Sequence, residues 1–288
     1  MRLKIKRIKE VMGFNTLRLC MLVVVMILAV IFYDIFSKGA GIISWEFLTK
    51  PPVDGMTKGG IFPAILGTFF VTAITAILAV PLGMGCAIYL NEYARDNGLT
   101  RFIRLSIRNL SGVPSIVYGL FGVTLFVDMC HFGTSILSAG ATLGLMTLPL
   151  TITASEEALK TVPRSYREGA LALGATKWQS IRTNVLPFAI PGILTGTILG
   201  LSRAAGETAP ILFTGAAFFL PDIPNSIFSQ FMALPYHLYI MSTQHHNISL
   251  VRPIAYGTAL VLIALVFLMN LVAVIIRYRL RKRGMAHG

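Results

Sequence analysis

The chain of 288 residues is 55% hydrophobic and only 13% charged, about half the charged share of a soluble domain, which excludes a disordered chain and an ordinary water-facing globule. Its formal charge of +13 would suit a nucleic-acid partner, but the placement of the charges argues against one. Stretches without Asp, Glu, Lys or Arg run from Ile61 to Leu90, Leu110 to Val127, Phe132 to Ser155, Val185 to Ser202 and Pro253 to Ile276, lengths close to or above the roughly 20 residues that cross a bilayer core.

In chain order, a basic cytoplasmic segment (1–18) precedes a first span at 19–36. That span reads as retained rather than cleaved, because no small-x-small site accompanies it. A loop with Trp45, Pro51 and Pro52 leads to a long second span, 61–93, in which Pro81, Gly83 and Gly85 are expected to introduce a kink. The third and fourth spans are expected at 109–128 and 135–155. A connecting loop, 156–187, follows. The fifth span (188–218) holds Arg203 and Glu207, an outer segment carries Pro221, Pro224, Pro235 and the histidines His237, His245 and His246, and a sixth span (253–277) ends in a basic tail, 278–288.

With six crossings in one transmembrane domain (19–277) and both termini in the cytoplasm, 20 of the 25 Lys and Arg fall on the inner side. Lys38, Lys50, Lys58 and Arg252 fall outside, and Arg203 falls within a span. This is the positive-inside pattern of a multi-pass membrane protein, all-α and held in the lipid bilayer, and it removes the need for a nucleic-acid partner.

The loop 156–187 carries two helix-start patterns, Ser165-Tyr-Arg-Glu168 and Thr176-Lys-Trp-Gln179, separated by Gly174. Each is a capping-box spacing, and a glycine between them suits the left-handed residue that ends a helix. The expected form is two short helices around a Gly174 turn, the second running to Pro187. The apolar Tyr166, Ala170, Leu171 and Leu173 give the first helix a side suited to packing against another body.

Arg203 and Glu207 stand four apart, so on a continuous helix they share a face. An arginine inside a span costs about 2.5–3.5 kcal/mol on insertion scales and so belongs in a bundle interior or a wet cavity. Its planar fork donates paired hydrogen bonds to an oxyanion, while Glu207 offers a competing partner. Elsewhere the chemistry is sparse. Cys20, Cys86 and Cys130 have no metal or disulfide spacing, and the histidines lack a metal-ligand companion set. Glu156 and Glu157 read as solvent-exposed at an inner span end. Gly169-x-x-x-x-Gly174 is followed by Ala175-Thr176 rather than the Lys-Ser/Thr of a phosphate-cradling loop, so the chain does not bind ATP by that device.

Glu168-Gly169-Ala170, Gly174, Ile181 and Leu186-Pro187 resemble the EAA loop of bacterial ABC importer permeases, with Gly169 in place of an alanine and the isoleucine earlier than the pattern puts it. Gly67-Thr-Phe-Phe-Val71, Val80-Pro-Leu-Gly83, Tyr89-Leu-Asn-Glu-Tyr93, Gly112-Val-Pro-Ser-Ile-Val-Tyr-Gly119 and Arg203-Ala-Ala-Gly-Glu-Thr-Ala-Pro210 extend the resemblance to the PstA-type permeases of the phosphate importer. The resemblance implies a MetI-like, type I importer permease fold in the bacterial inner membrane, a non-catalytic subunit, and alternating-access import of inorganic phosphate. It also implies a coupling loop that docks on an ATPase, a PstC-like second permease, a PstB-like ATPase pair that binds ATP and Mg, and a PstS-like periplasmic phosphate-binding protein. Another oxyanion such as molybdate, sulfate or a phosphonate, and an ion-coupled transporter or channel without an ATPase, are the rival readings.

Overall fold

The structure is a computed structural model that describes residues 2–285, with side chains from 12 to 279 apart from 273. Most of the basic start and most of the tail therefore lie outside the described side chains. In chain order the elements are α1 (Arg2–Gly39), α2 (Trp45–Thr49), a short antiparallel hairpin of β1 (Pro52–Val53) and β2 (Lys58–Gly59), α3 (Phe62–Ile88), α4 (Gly98–Leu110), α5 (Ser115–Gly122) and α6 (Ile136–Lys160). There follow α7 (Arg164–Ala172), α8 (Lys177–Ser180), α9 (Leu186–Ala205), α10 (Ala209–Thr214), α11 (Leu234–Thr243) and α12 (Ile248–Met285). Among the described residues, five helical stretches are long and apolar enough to span a membrane: 12–42, 62–93, 136–160, 177–205 and 248–279. A sixth crossing results if α4 and the 115–129 helix, bent by 102° to each other, count as one. The architecture is the all-α membrane bundle expected.

α6 is the centre of the bundle, with two thirds of its most apolar stretch buried. It packs against α3 on one side and α9 on another. Lipid tails are as apolar as leucine, so close backbone approach rather than the hydrophobic effect holds such helices together. The glycines of α9 provide that approach: a Cβ at Gly196 would lie 2.1 Å from Ala154 Cβ and one at Gly192 2.8 Å from Ala158 Cβ. Buried threonines return their hydroxyls to their own helices, Thr68 to Ala64 O and Thr72 to Thr68 O, which pairs these hydroxyls within the apolar interior.

Helix breaks differ from the sequence expectation in three places. The inner connection after α3 is helical, and α4 begins at an Asn97 cap whose side chain accepts from Thr100 N–H at 2.9 Å. The second helix of the 156–187 loop does not stop at Pro187. It continues through a π turn at Ile181–Val185 into α9, because the widened turn accommodates a residue that cannot donate a hydrogen bond. The fifth span does not run to 218. α9 ends at Ala205, and Pro210 starts α10 after Gly206–Thr208, since a proline deprives the chain of a donor and clashes with the carbonyl four residues back.

The segment expected to be an outer loop folds back into the bundle. Phe231, Met232, Ala233 and Leu234 are fully buried. Ser229 O and Ile227 O accept from the N–H groups of Ile136 and Leu137, satisfying the free donors at the start of α6. Leu234 N–H donates to Thr68 Oγ1 at 2.9 Å. Gly67 is where the backbone of this segment crosses α3: a Cβ there would sit 2.0 Å from Met232 O. The bundle thus has a hairpin end, closed by this segment and the β1–β2 hairpin, and a loop end, formed by α7 and α8.

Candidate functional site

At the loop end, α7 closes with a glycine turn. Gly174 has φ +83°, Ala175 N–H donates to Ala170 O and Gly174 N–H to Leu171 O, the paired bonds of a Schellman cap. The next helix starts on a reciprocal capping box, with Gln179 N–H donating to Thr176 Oγ1 and Thr176 N–H to Gln179 Oε1. The first box does not form. α7 begins at Arg164 behind Pro163, so Ser165 already lies inside the helix, where it has no free N–H to cap.

The loop divides into an inward and an outward face. Ala170, Ile181 and Val185 are buried, and Leu186 packs against the apolar cluster of Ile88, Leu90, Ile152 and Leu159. Glu168, Gly169, Gly174 and Pro187 point away from the bundle. Beside them Leu173 is 91% exposed, with Tyr166, Leu171 and Trp178 about half exposed. Nothing lies within 4 Å of where a Cβ would stand at Gly169 or Gly174.

Buried charge ties this loop to the spans, a feature the sequence reading missed. Arg167 of α7 meets Glu92, in the π turn that ends α3, at 2.7 Å, and also donates to Val162 O and Leu159 O. The reading of Glu156 as solvent-exposed is incorrect: it is buried, with Arg104 Nε of α4 at 2.9 Å and Lys160 at 3.3 Å, whereas Glu157 is exposed. The Arg104–Glu156 contact is close without hydrogen-bond alignment, and Arg104 donates instead to Leu90 O at 2.8 Å. The signal available in the sequence was Glu92 within Tyr89-Leu-Asn-Glu-Tyr93 and Arg104 in the basic segment after it, but their charged partners Arg167 and Glu156 lie far along the chain.

Arg203 lies in the last turn of α9, and Glu207 lies beyond it, past Gly206. The two meet at 3.3 Å between Nε and Oε1 across the helix end rather than along a continuous helix. Arg203 is 61% exposed and Glu207 17%. Beside them is a cavity of about 50 Å³ that Arg203 lines together with Ser111, Tyr118, Thr147, Leu150 and Gly200. Thr147 and Leu150 belong to the middle of α6, so the guanidinium sits at mid-span depth. The cavity forms at the bend between α4 and α5, which Tyr118 spans by donating its hydroxyl to Leu110 O at 2.9 Å. A charged fork at that depth, in a niche where Ser111, Tyr118 and Thr147 interrupt an otherwise apolar lining, can hold an oxyanion and release it to Glu207's competition.

Two of the three histidines of this segment, His237 and His245, are buried, and His246 is exposed. His237, on α11 between the spans, is buried, and burial without a partner for Nδ1 lowers its pKa to about 4. His245 is buried, accepts Asn247 N–H on Nδ1 at 3.0 Å and places Nε2 2.8 Å from Gly55 O, a pattern that assigns the neutral ring its proton on Nε2. It thereby pins the hairpin turn, where Asp54, Gly55 and Met56 all have positive φ. No group of three or more His, Cys, Asp or Glu suited to a metal occurs among the described residues.

Residues 79–283 match the family described as "Binding-protein-dependent transport system inner membrane component". The probable ABC transporter permease protein YqgI of Bacillus subtilis (strain 168) is 33% identical over 279 residues, covering 93% of this chain and 95% of that one. The phosphate transport system permease protein PstA 1 of Mycobacterium tuberculosis (strain H37Rv) is 35% identical over 240 residues, covering 83% and 76%. Among solved structures, an inward-facing MetNI methionine ABC transporter chain aligns with a TM-score of 0.61 at 17% identity, covering 76% of this chain and 97% of that one. A bacterial ABC transporter for alginate import aligns at 0.63 and 14%, covering 90% and 95%. Both are likenesses of fold.

Proposed function

The chain belongs to the binding-protein-dependent transport system inner membrane components, and we propose that it is the permease subunit of an ATP-driven importer of inorganic phosphate. The observation that carries this reading is the 35% identity to a phosphate permease over 240 residues, which includes the segment holding Arg203. An arginine at mid-span depth that lines a small cavity with Ser111, Tyr118 and Thr147 supports an oxyanion as cargo.

In this reading the bundle lies in the bacterial inner membrane with the loop end, where nine Lys and Arg between 95 and 182 gather, in the cytoplasm. A PstB-like ATPase pair, which binds the ATP and Mg, grips the exposed face of α7 around Glu168, Gly169 and Leu173. A PstC-like permease completes the pathway, and a PstS-like binding protein delivers phosphate at the hairpin end. Arg203 pairs with Glu207 when the path is empty and with phosphate in passage. Nucleotide-driven motion of the loop shifts the balance between two packings of the spans, each favoured by a different nucleotide state.

The test is uptake of labelled phosphate by the assembled importer in proteoliposomes. Arg203→Gln is expected to lower uptake by about 100-fold or more, the scale of losing one charge-assisted pair worth about 3 kcal/mol, while complex yield stays constant. Uptake that survives in the variant overturns the pathway role. Transport by the chain without its ATPase, or molybdate or sulfate outcompeting phosphate, overturns the wider reading.

A further inference from the structure

The cations at the hairpin end are unequally neutralised. Lys38, Lys50 and Lys58 each have an acid four residues earlier, with Asp34, Glu46 and Asp54 at 2.5, 2.6 and 3.0 Å. Arg252 makes no ion pair and no side-chain hydrogen bond among the described residues. It lies in the first turns of α12 and, with Lys38, Ser249, Pro253 and Tyr256, lines a cavity of about 380 Å³ where the end of α1 meets α12. The two helices touch closely there, Gly39 against Tyr256 O.

We propose that this cavity binds the phosphate of an anionic phospholipid at the headgroup level of the membrane. The most apolar stretches of α1 and α12 have none of their residues buried, so a cavity between the ends of these helices opens toward lipid rather than into the bundle. Trp45, 81% exposed at the same end, and Tyr256 are side chains that settle at a membrane interface. Asp34, Lys38 and Arg252 together leave one net positive charge, which matches the single negative charge of a phosphodiester. Arg252 offers its paired donors, and Lys38, already bound to Asp34 and 3.4 Å from Tyr256 Oη, retains one of its three.

The experiment uses the full chain purified from membranes, exchanged into phosphatidylcholine nanodiscs with graded phosphatidylglycerol, and reads bound phosphatidylglycerol by native mass spectrometry and melting temperature by fluorescence. Wild type is expected to retain phosphatidylglycerol and to melt higher in its presence. Arg252→Gln is expected to retain about five-fold less, the worth of one basic residue at an anionic surface, and Arg252→Lys to retain most of it. Lys38→Gln provides a second reading, should Arg252→Gln fail to fold. Equal retention by wild type and both glutamine variants overturns the proposal. So does inorganic phosphate displacing the lipid or reproducing its melting shift, which assigns the cavity to the free anion, and so does lipid loss when accompanying subunits bind, which assigns it to a protein contact.

Discussion

His237 shows what burial does to one side chain. Its folded-state pKa of about 4 lies below the unfolded value near 6.5, so the unfolded chain takes up the proton first as the medium is acidified. Stability is therefore fully present above about pH 6.5 and falls as pH drops toward 4, by roughly 3 kcal/mol at the limit. His237→Gln removes this titration, and melting profiles of the two proteins across pH 7 to 4 are expected to converge in slope for the variant. An unchanged slope in the variant would assign the acid lability to another group. Sequence alone did not expose this residue, because three histidines in a proline-rich connection look alike until the chain folds one of them into the interior.

At the scale of the element, the turn between α7 and α8 depends on one backbone conformation. Gly174 at φ +83° adopts a geometry that costs an L-residue roughly 1–2 kcal/mol, and a β-branched residue more. Open space surrounds the position, so the penalty is conformational, not steric. Gly174→Val is expected to loosen α7 from α8 while leaving the spans assembled. The readout is faster amide exchange confined to 164–180, together with a loss of phosphate uptake; exchange that spreads to α6 and α9 would mean the bundle itself had failed. This element was legible in the sequence, since a glycine cap and the Thr176–Gln179 box are local signals. Ser165–Glu168 has the same spacing and caps nothing, because Pro163, with its preset φ, had already started the helix at Arg164.

For the whole molecule, ion pairs at the loop end tie α7 and α4 to the spans. Arg167–Glu92 joins α7 to the end of α3, and Arg104 joins α4 to Leu90 O and Glu156 of α6. From Arg104, α4 runs to Leu110, whose carbonyl Tyr118 holds beside the Arg203 cavity. The loop and the mid-span cavity are therefore connected through these polar contacts as well as through the continuous helical stretch 177–205 that carries Arg203. Glu92→Gln leaves the half-buried Arg167 without its counter-charge but with its bonds to Val162 O and Leu159 O, which costs about 1–3 kcal/mol. In the assembled importer it is expected to preserve nucleotide hydrolysis while lowering the phosphate moved per ATP. Hydrolysis and uptake falling in equal proportion would instead indicate loss of assembly.

The number of apolar stretches, the charge asymmetry across them, the Gly174 turn and the nearness of Arg203 to Glu207 were all determined by the sequence itself, because each depends on residues within one or two helical turns or on composition along a span. Only the tertiary structure decided that Glu156 is buried against Arg104, that Arg167 finds Glu92 across 75 positions, that α9 breaks between Arg203 and Glu207, and that the segment around Phe231 folds back into the bundle. These outcomes require distant segments to meet. The free energy of a buried charge or an unpaired N–H is set by what lies across the interface, which neighbours along the chain do not specify.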